Sequence, residues 1–240
     1  MIDIHTHILP SVDDGPRTTE ESIELCKIAV NDGIKTIVAT PHSKDGVYEA
    51  KSDETLRKVK ELNIKLKEIQ LDLEILPGAE AHINERLVKD IESGEVLTIN
   101  NGRKFLLLEV PFFFVPPATD KLISNLRSIG IVSIISHAER IAKFQKTPEI
   151  LDPLVKSGTL IQITAQSLTG DFGSRERKCA EWLLKHEMVH FIASDVHSLT
   201  GRPPILSKAL ERAAKIIGEE KARALVSHNP EQIINGLDIC

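Results

Sequence analysis

Residues 1–15 read MIDIHTHILPSVDDG. A short β-branched run, Ile2–Ile4, leads straight into His5-Thr6-His7. The two-residue period of an extended strand sends both imidazoles to one face, where they can grip a single cation. Asp13-Asp14-Gly15 follows, and Gly15 with Pro16 supplies the turn that curls this loop back over the strand end. Ligand-type side chains at a place where many chains fray predict that this first strand sits at the centre of the fold.

Working outward, the same kind of run recurs. Short apolar, β-branched segments at Ile2–Ile4, Thr36–Ala39, Leu73–Leu76, Phe105–Leu108, Val132–Ile135, Leu160–Ile163 and Phe191–Ala193 alternate with amphipathic stretches. Such alternation is the pattern of βα units around a buried parallel sheet. The first helix carries a capping box at Thr18 to Glu21, an apolar face of Ile23, Cys26 and Val30, and a stop at Asn31-Asp32-Gly33. Further helices are expected over 54–69, 84–93, 118–128, 148–156 and 175–186, and from Pro204 onward. No repeat, linker or low-complexity segment divides the chain, so residues 1–240 are read as one domain.

An open doubly wound sheet and a closed barrel both suit this order, and the polar residues separate them. In a barrel the βα loops converge on one mouth, so chemistry gathers at the strand C-termini. Here His5 and His7 follow the first strand, His42 the second, Glu80 the third, Glu109 the fourth, His137 the fifth, and Asp195 with His197 the seventh. Asp14 lies in the first βα loop, and only the sixth strand lacks a strong ligand, ending in Gln162 and Thr164. The expected fold class is therefore α/β, a distorted seven-stranded (β/α)7 barrel, TIM-barrel-like, with a metal site at the C-terminal mouth. His82, His186, His190 and His228 are set aside as ordinary histidines without a needed role.

Nine candidate ligands exceed what one catalytic ion takes. They imply two or three divalent ions, and imidazole with carboxylate but no thiolate suits Mn, Fe or Zn better than Mg or Ca. Two such ions about 4 Å apart can hold a bridging hydroxide as nucleophile and neutralise a developing oxyanion, which is hydrolase chemistry.

Composition excludes other classes. Lys and Arg number 30 against 35 Asp and Glu, a net charge of −5 that offers no general attraction to nucleic acid. No charged leader with an apolar core precedes the first strand, and Glu109 and Pro111 break the most apolar stretch, FLLLEVPFFFV. The chain is expected to be cytoplasmic. Three scattered cysteines do not make a disulfide framework. Nor do they make a thiol phosphatase, which needs an arginine six residues after the cysteine: Asp32 follows Cys26 and Lys185 follows Cys179 at that distance, and Cys240 ends the sequence.

The stretches MIDIHTHILPSVDDG, TIVATPH with GVYE, LPGAE, LLLEVPF, ISHAER, QITAQSLTGDFG and HFIASDVHSLTGRPP together resemble the polymerase and histidinol phosphatase (PHP) family of metal-dependent phosphoesterases. The branch they are most similar to is that of the bacterial tyrosine-protein phosphatases linked to capsule and exopolysaccharide synthesis. The resemblance implies a trinuclear, commonly manganese-filled centre. His5, His7, Glu80 and Asp195 would hold one ion, Glu80 with Glu109 and His137 a second, and Asp14, His42 and His197 a third. It implies phosphate-binding arginines at Arg140 and Arg202, whose planar forks suit phosphate oxygens. It further implies a phosphotyrosine substrate in the tail of a bacterial tyrosine kinase, which would recruit the enzyme to the membrane. Phe112, Phe113 and Phe114 would line an apolar rim for the ring. No acid for the leaving group stands out, and a tyrosyl phenolate leaves with help from a water. The rival readings are a histidinol-phosphatase-like enzyme, another metal-dependent phosphoesterase, nuclease or amidohydrolase on a barrel, and a non-catalytic binding module.

Overall fold

A computed structural model of the chain describes residues 1–239; Cys240 lies outside the described residues. Each predicted strand segment is found, the third starting one residue later than expected, at Glu74. The strands are β1 (Ile2–Thr6), β2 (Thr36–Ala39), β3 (His42–Ser43), β4 (Glu74–Pro77), β5 (Glu80–His82), β6 (Phe105–Glu109), β7 (Val132–Ile135), β8 (Leu160–Thr164) and β9 (Phe191–Ala193). All pairings are parallel, in the orders β1-β2-β4 and β3-β5-β6-β7-β8-β9. The result is a curled parallel sheet.

The expected count of seven becomes nine segments because the second and third strands are each interrupted. Pro41 has no N–H to give to a ladder. On the neighbouring strand, beside Thr40, the chain needs Gly78, where an added Cβ would stand 2.9 Å from Val38 Cγ1 and 3.2 Å from Thr40 Cγ2. The register nevertheless carries across the break, from Ala39 beside Pro77 to His42 beside Glu80. At the other edge, a bridge between Thr6 and Val196 joins the first strand to the residues after β9. Asp195 N–H donates to the His5 carbonyl and His7 N–H to that of Val196, both at 3.0 Å.

Helices fill the connections: α1 (Thr19–Asn31), α2 (Ser52–Glu68), α3 (Leu87–Glu92), α4 (Thr119–Ser128), α5 (Ala142–Lys146), α6 (Asp152–Lys156), α7 (Ala165–Thr169), α8 (Ser174–Lys185), α9 (Ser207–Ile217), α10 (Glu219–Ala224) and α11 (His228–Ile234). Thr18 caps α1, accepting the Glu21 N–H at 3.2 Å, but the Glu21 carboxylate reaches the N–H of Arg17 and not that of Thr18. The buried face of α1 is Ser22, Leu25, Cys26 and Ala29, with Ile23 and Val30 at its margin. The C-terminal run, expected as one helix, is three. Gly218 divides the first two at φ +87°, where a Cβ would be strained. No helix among the described residues is long and apolar enough to cross a membrane.

Strand alternation sorts the core into two layers. Ile4, Val38, Phe105, Leu107, Ile134, Leu160, Phe191 and Ala193 form an inner cluster, which Ile99 and Ile233 join from connections near the strand N-termini. Ile37, Leu106, Ile135, Ile161 and Ile192 belong to the outer cluster that meets the helices. Continuing the inner parity past the last apolar residue gives Glu109 on β6 and Gln162 on β8, so the polar site rests on an apolar floor.

That floor yields a measurable cost. Phe191 is fully buried within it. Phe191→Ala is expected to lower unfolding stability by about 3–5 kcal/mol in urea titration, and a loss below about 1 kcal/mol would contradict this placement.

Candidate metal centre

The loops that follow the strand ends converge, and one carboxylate stands at the meeting point. Glu80 is 1% exposed, and its Oε2 lies 3.3 Å from His5 Nε2, 3.5 Å from His7 Nε2 and 3.2 Å from His42 Nδ1. Its Oε1 lies 2.9 Å from His137 Nε2. Neither oxygen makes a properly directed hydrogen bond, and His42 Nδ1 and His137 Nδ1 are likewise buried without one. Leaving such groups unpaired is costly, and a cation among them removes the cost.

The imidazoles are set for that role. His5 Nδ1 meets Gln162 Oε1 at 3.0 Å, His7 Nδ1 meets Asp13 Oδ2 at 2.6 Å, and His197 Nδ1 meets the Asp195 carbonyl at 2.9 Å. Each of these oxygens accepts, so each ring carries its proton on Nδ1 and turns the Nε2 lone pair toward the centre. The Nε2 atoms of His5 and His7 come within 3.3 Å of one another, a spacing that suits a shared ligand. A slip of register in β1 between Asp3 and Thr6 aims both rings this way. Asp3, paired with outward-facing Ile37, instead accepts the Ser194 N–H at 3.1 Å and ties the first strand to the last.

Asp195 faces both ways. Its Oδ1 is 3.4 Å from His5 Nε2 and 3.5 Å from His7 Nε2, while its Oδ2 accepts from Arg140 at 2.7 Å and Arg202 at 3.0 Å. The Arg140 guanidinium lies between two rings, 4.6 Å from Phe112 and 4.9 Å from Phe172. Phe112 also packs on His137 at 4.9 Å. Phe113, expected on the rim beside it, is 90% exposed.

Three sets of donors lie within 4.8 Å of one another: His7, Asp14, His42 and His197; His5, His7 and Glu80; and His42, Glu80 and Glu109. All nine expected ligands are at this mouth, though the geometry groups His42 with Glu80 and Glu109 where His137 was expected. His137 is nonetheless 3.9 Å from Glu109 Oε1.

Four supporting residues escaped the sequence reading. Asp13 holds His7 and also accepts the His42 N–H at 3.0 Å; Gly15 closes this loop, a Cβ there falling 2.3 Å from the His7 carbonyl. Gln162 accepts from both His5 and the His137 N–H. His82, set aside as ordinary, lies 3.2 Å from Glu109 Oε2, and its parity with Glu80 was the available signal. Phe172 had none, because its partner Arg140 is brought to it only by folding. His186 stacks on Trp182 at 3.7 Å, and His190 accepts the Ile161 N–H; neither touches the cluster.

Burial works against every charge here, yet the partners outweigh it. Burial alone would raise Glu80, but His5 and His137 hold it well below the usual carboxylate range. Burial would likewise raise Asp195, but the charges around it, His5 foremost, with His197 and Arg202, hold that carboxyl down. Burial would lower His7, but Asp13 raises it well above the ordinary histidine value, and Glu80 raises His5 and His42. His197 is the exception, lowered by burial.

A family model described as capsular polysaccharide synthesis, CpsB/CapC, matches residues 1–235. The tyrosine-protein phosphatase YwqE of Bacillus subtilis is 36% identical over 220 residues, 92% of this chain and 86% of the relative. The tyrosine-protein phosphatase CpsB of Streptococcus agalactiae is 31% identical over 239 residues, 98% of each. A solved structure from work on YwqE of Bacillus subtilis and CpsB of Streptococcus pneumoniae, described as metal-dependent tyrosine phosphatases, matches with a TM-score of 0.95 at 34% identity, covering 100% of this chain and 96% of that one. The histidinol phosphate phosphatase of Lactococcus lactis, at 16% identity, TM-score 0.56 and 92% and 93% coverage, shares the fold alone.

The charge pattern fixes a pH response for chelator-treated protein. The raised His5, His7 and His42 contribute stability that is complete below the ordinary histidine value of 6.5 and is lost as pH rises through their folded values. The depressed Glu80 and Asp195 contribute stability that is lost only as pH falls below the carboxylate range. The thermal midpoint should therefore fall between pH 7 and 9, and added divalent ion should flatten the fall. A midpoint that climbs across that window would refute the assignment.

Proposed function

The chain belongs to the CpsB/CapC family of capsular polysaccharide synthesis, and from that premise we propose that it is a metal-dependent protein-tyrosine phosphatase. The observation that carries this reading is Glu80, buried among four imidazoles with both oxygens unsatisfied, beside two arginines that converge on Asp195. Relatives of about a third identity over nearly the whole chain support the same activity.

The donors suit two or three divalent ions: His5, His7, Glu80 and Asp195 around one, Glu80, Glu109 and His137 around another, and Asp14, His42 and His197 around a third. Nitrogen and oxygen ligands without sulfur favour manganese, with iron or zinc as the alternatives. When bound, the ions supply an activated water and neutralise the charge that builds on the phosphoryl oxygens.

The rest of the work falls to the chain. Each arginine offers five N–H donors and gives one nitrogen to Asp195, so the remaining donors are free to take phosphate oxygens in a bidentate grip. The Phe112 and Phe172 rings hold the Arg140 fork in one plane, by contact with its π-face. Phe112, stacked on Arg140, and the exposed Phe113 would line an apolar rim for the phosphotyrosine ring once its phosphate met those forks. The phenolate leaves without a strong acid. The two interrupted strands are read as bent but continuous, which gives seven positions around a barrel and one domain over residues 1–240. The substrate is a phosphotyrosine protein, with a capsule-regulating tyrosine kinase as the physiological one. The enzyme works in the cytoplasm and is drawn to the membrane by that partner.

A chelator should abolish hydrolysis of phosphotyrosine and manganese should restore it, while thiol alkylation leaves it intact. Cys26 and Cys179 are buried, which pushes both thiols up to about 12. His137→Ala and Asp195→Ala should each remove turnover with the circular dichroism spectrum unchanged. Turnover that survives chelation, or histidinol phosphate hydrolysed faster than phosphotyrosine, would defeat the reading.

Phe172→Ala should raise KM several-fold with a smaller change in kcat and no loss of bound metal, and Phe172→Tyr should restore it. Unaltered kinetics in Phe172→Ala would remove the stack from the site.

A further inference from the structure

We propose that the groove between the loop after β6 and helix α5 holds the polypeptide flanking the phosphorylated tyrosine and favours acidic side chains there. This rests on the phosphotyrosine reading above and adds a specificity to it. The groove encloses roughly 500 Å³ and is lined by Phe113, Phe114, Pro116 and Phe144 on its apolar sides, with Lys143 and Lys146 along one bank.

Its position ties it to the site. The Ala142 N–H donates to the Phe112 carbonyl at 2.7 Å, so the two banks are joined at their inner end. Phe112 stacks on Arg140, and Arg140 lies two residues before Ala142. A phosphotyrosine gripped at Arg140 therefore enters beside the groove, and its neighbours along an extended chain, spaced about 3.3 Å per residue, fall into it. Two large apolar side chains of its lining, Phe113 at 90% and Phe114 at 59% exposed, leave most of their surface to solvent. Apolar surface of this kind at a mouth marks a contact with another molecule, and a phosphate ester as small as histidinol phosphate would not span it.

Charge selects the peptide. Lys143 and Lys146 are exposed and one helical turn apart on the same face of α5. Among the described residues neither has a carboxylate within 4 Å, whereas Lys44, Lys104 and Lys156 are each paired. The one carboxylate lining the groove is Asp120, so the bank stays positive in a chain whose net charge is −5. Complementary charge at such a surface sets partner choice more than raw affinity.

The test uses the manganese-loaded enzyme with free phosphotyrosine and three phosphotyrosyl peptides that differ only in flanking residues: Asp and Glu, Asn and Gln, or Lys. Each value of kcat/KM is taken relative to free phosphotyrosine. Exposed charge pairs are individually weak, so the wild type should prefer the acidic to the neutral peptide by about fivefold and rank the basic one last. The double variant Lys143→Glu with Lys146→Glu should reverse the order, and Lys143→Gln with Lys146→Gln should erase it. Identical ranking in wild type and both double variants would overturn the groove. So would a concentration-dependent dimer dispersed by the glutamate variant, which would assign the groove to a second copy. Failure to hydrolyse free phosphotyrosine at all would bring down the phosphatase reading and this one with it.

Discussion

A carboxylate placed out of water among four imidazoles, with no hydrogen bond to either oxygen, is the constraint on which the molecule is organised. Such a cluster is not stable by itself, because desolvating the charges costs several kcal/mol each and their mutual attraction offsets it only with good geometry. What surrounds Glu80 supplies the geometry. Asp13, Gln162 and the Asp195 carbonyl each take an Nδ1 proton and leave an Nε2 lone pair pointing inward. The fold spends several buried polar groups on orienting rings that do nothing for its hydrophobic core, which is the mark of a site shaped for cations.

The cluster also depends on how the chain closes. His5 and His7 come from the first strand and Asp195 and His197 from the far end of the last, and the Thr6–Val196 bridge with its flanking hydrogen bonds brings them within reach. Asp3 strengthens the same junction from the outer face. Its burial pushes the carboxyl up to about 6, so the seam between first and last strands contains a buried carboxyl that takes up a proton more readily than an ordinary aspartate. The junction of first and last strands and the meeting of the ligands thus depend on the same contacts: a chain that left the seam open would also separate the donors.

The strand positions were legible in the sequence because they follow from local rules, and the nine candidate donors could be named because most of them directly follow a strand. A short β-branched run is extended, and the residue that continues its inner parity faces the inside of the curled sheet. What was not legible depends on more than one segment. The slip in β1 that re-aims His5 is a matter of register against β2, and the split of the second and third strands falls where Pro41 follows the close passage of Val38 and Thr40 over Gly78. Asp13 and Gln162 read as loop and strand filler until the rings they orient are in place. The helix that starts at Thr18 shows the limit on a small scale. Its cap formed as expected, but Glu21 turned to Arg17, a choice between adjacent N–H groups that no spacing rule decides.

The inner and outer faces of the strands leave a fixed parity between the apolar floor and the donors above it. On β6, Phe105 and Leu107 point to the interior and Glu109 follows at the same phase. Losing or gaining one residue within such a strand would swing its donor out toward the helices and put an aliphatic side chain in its place. The strands are therefore locked in length to the residue, and divergence in this architecture has to be absorbed by the loops around the mouth, where a new side chain alters what can enter without displacing anything that holds an ion.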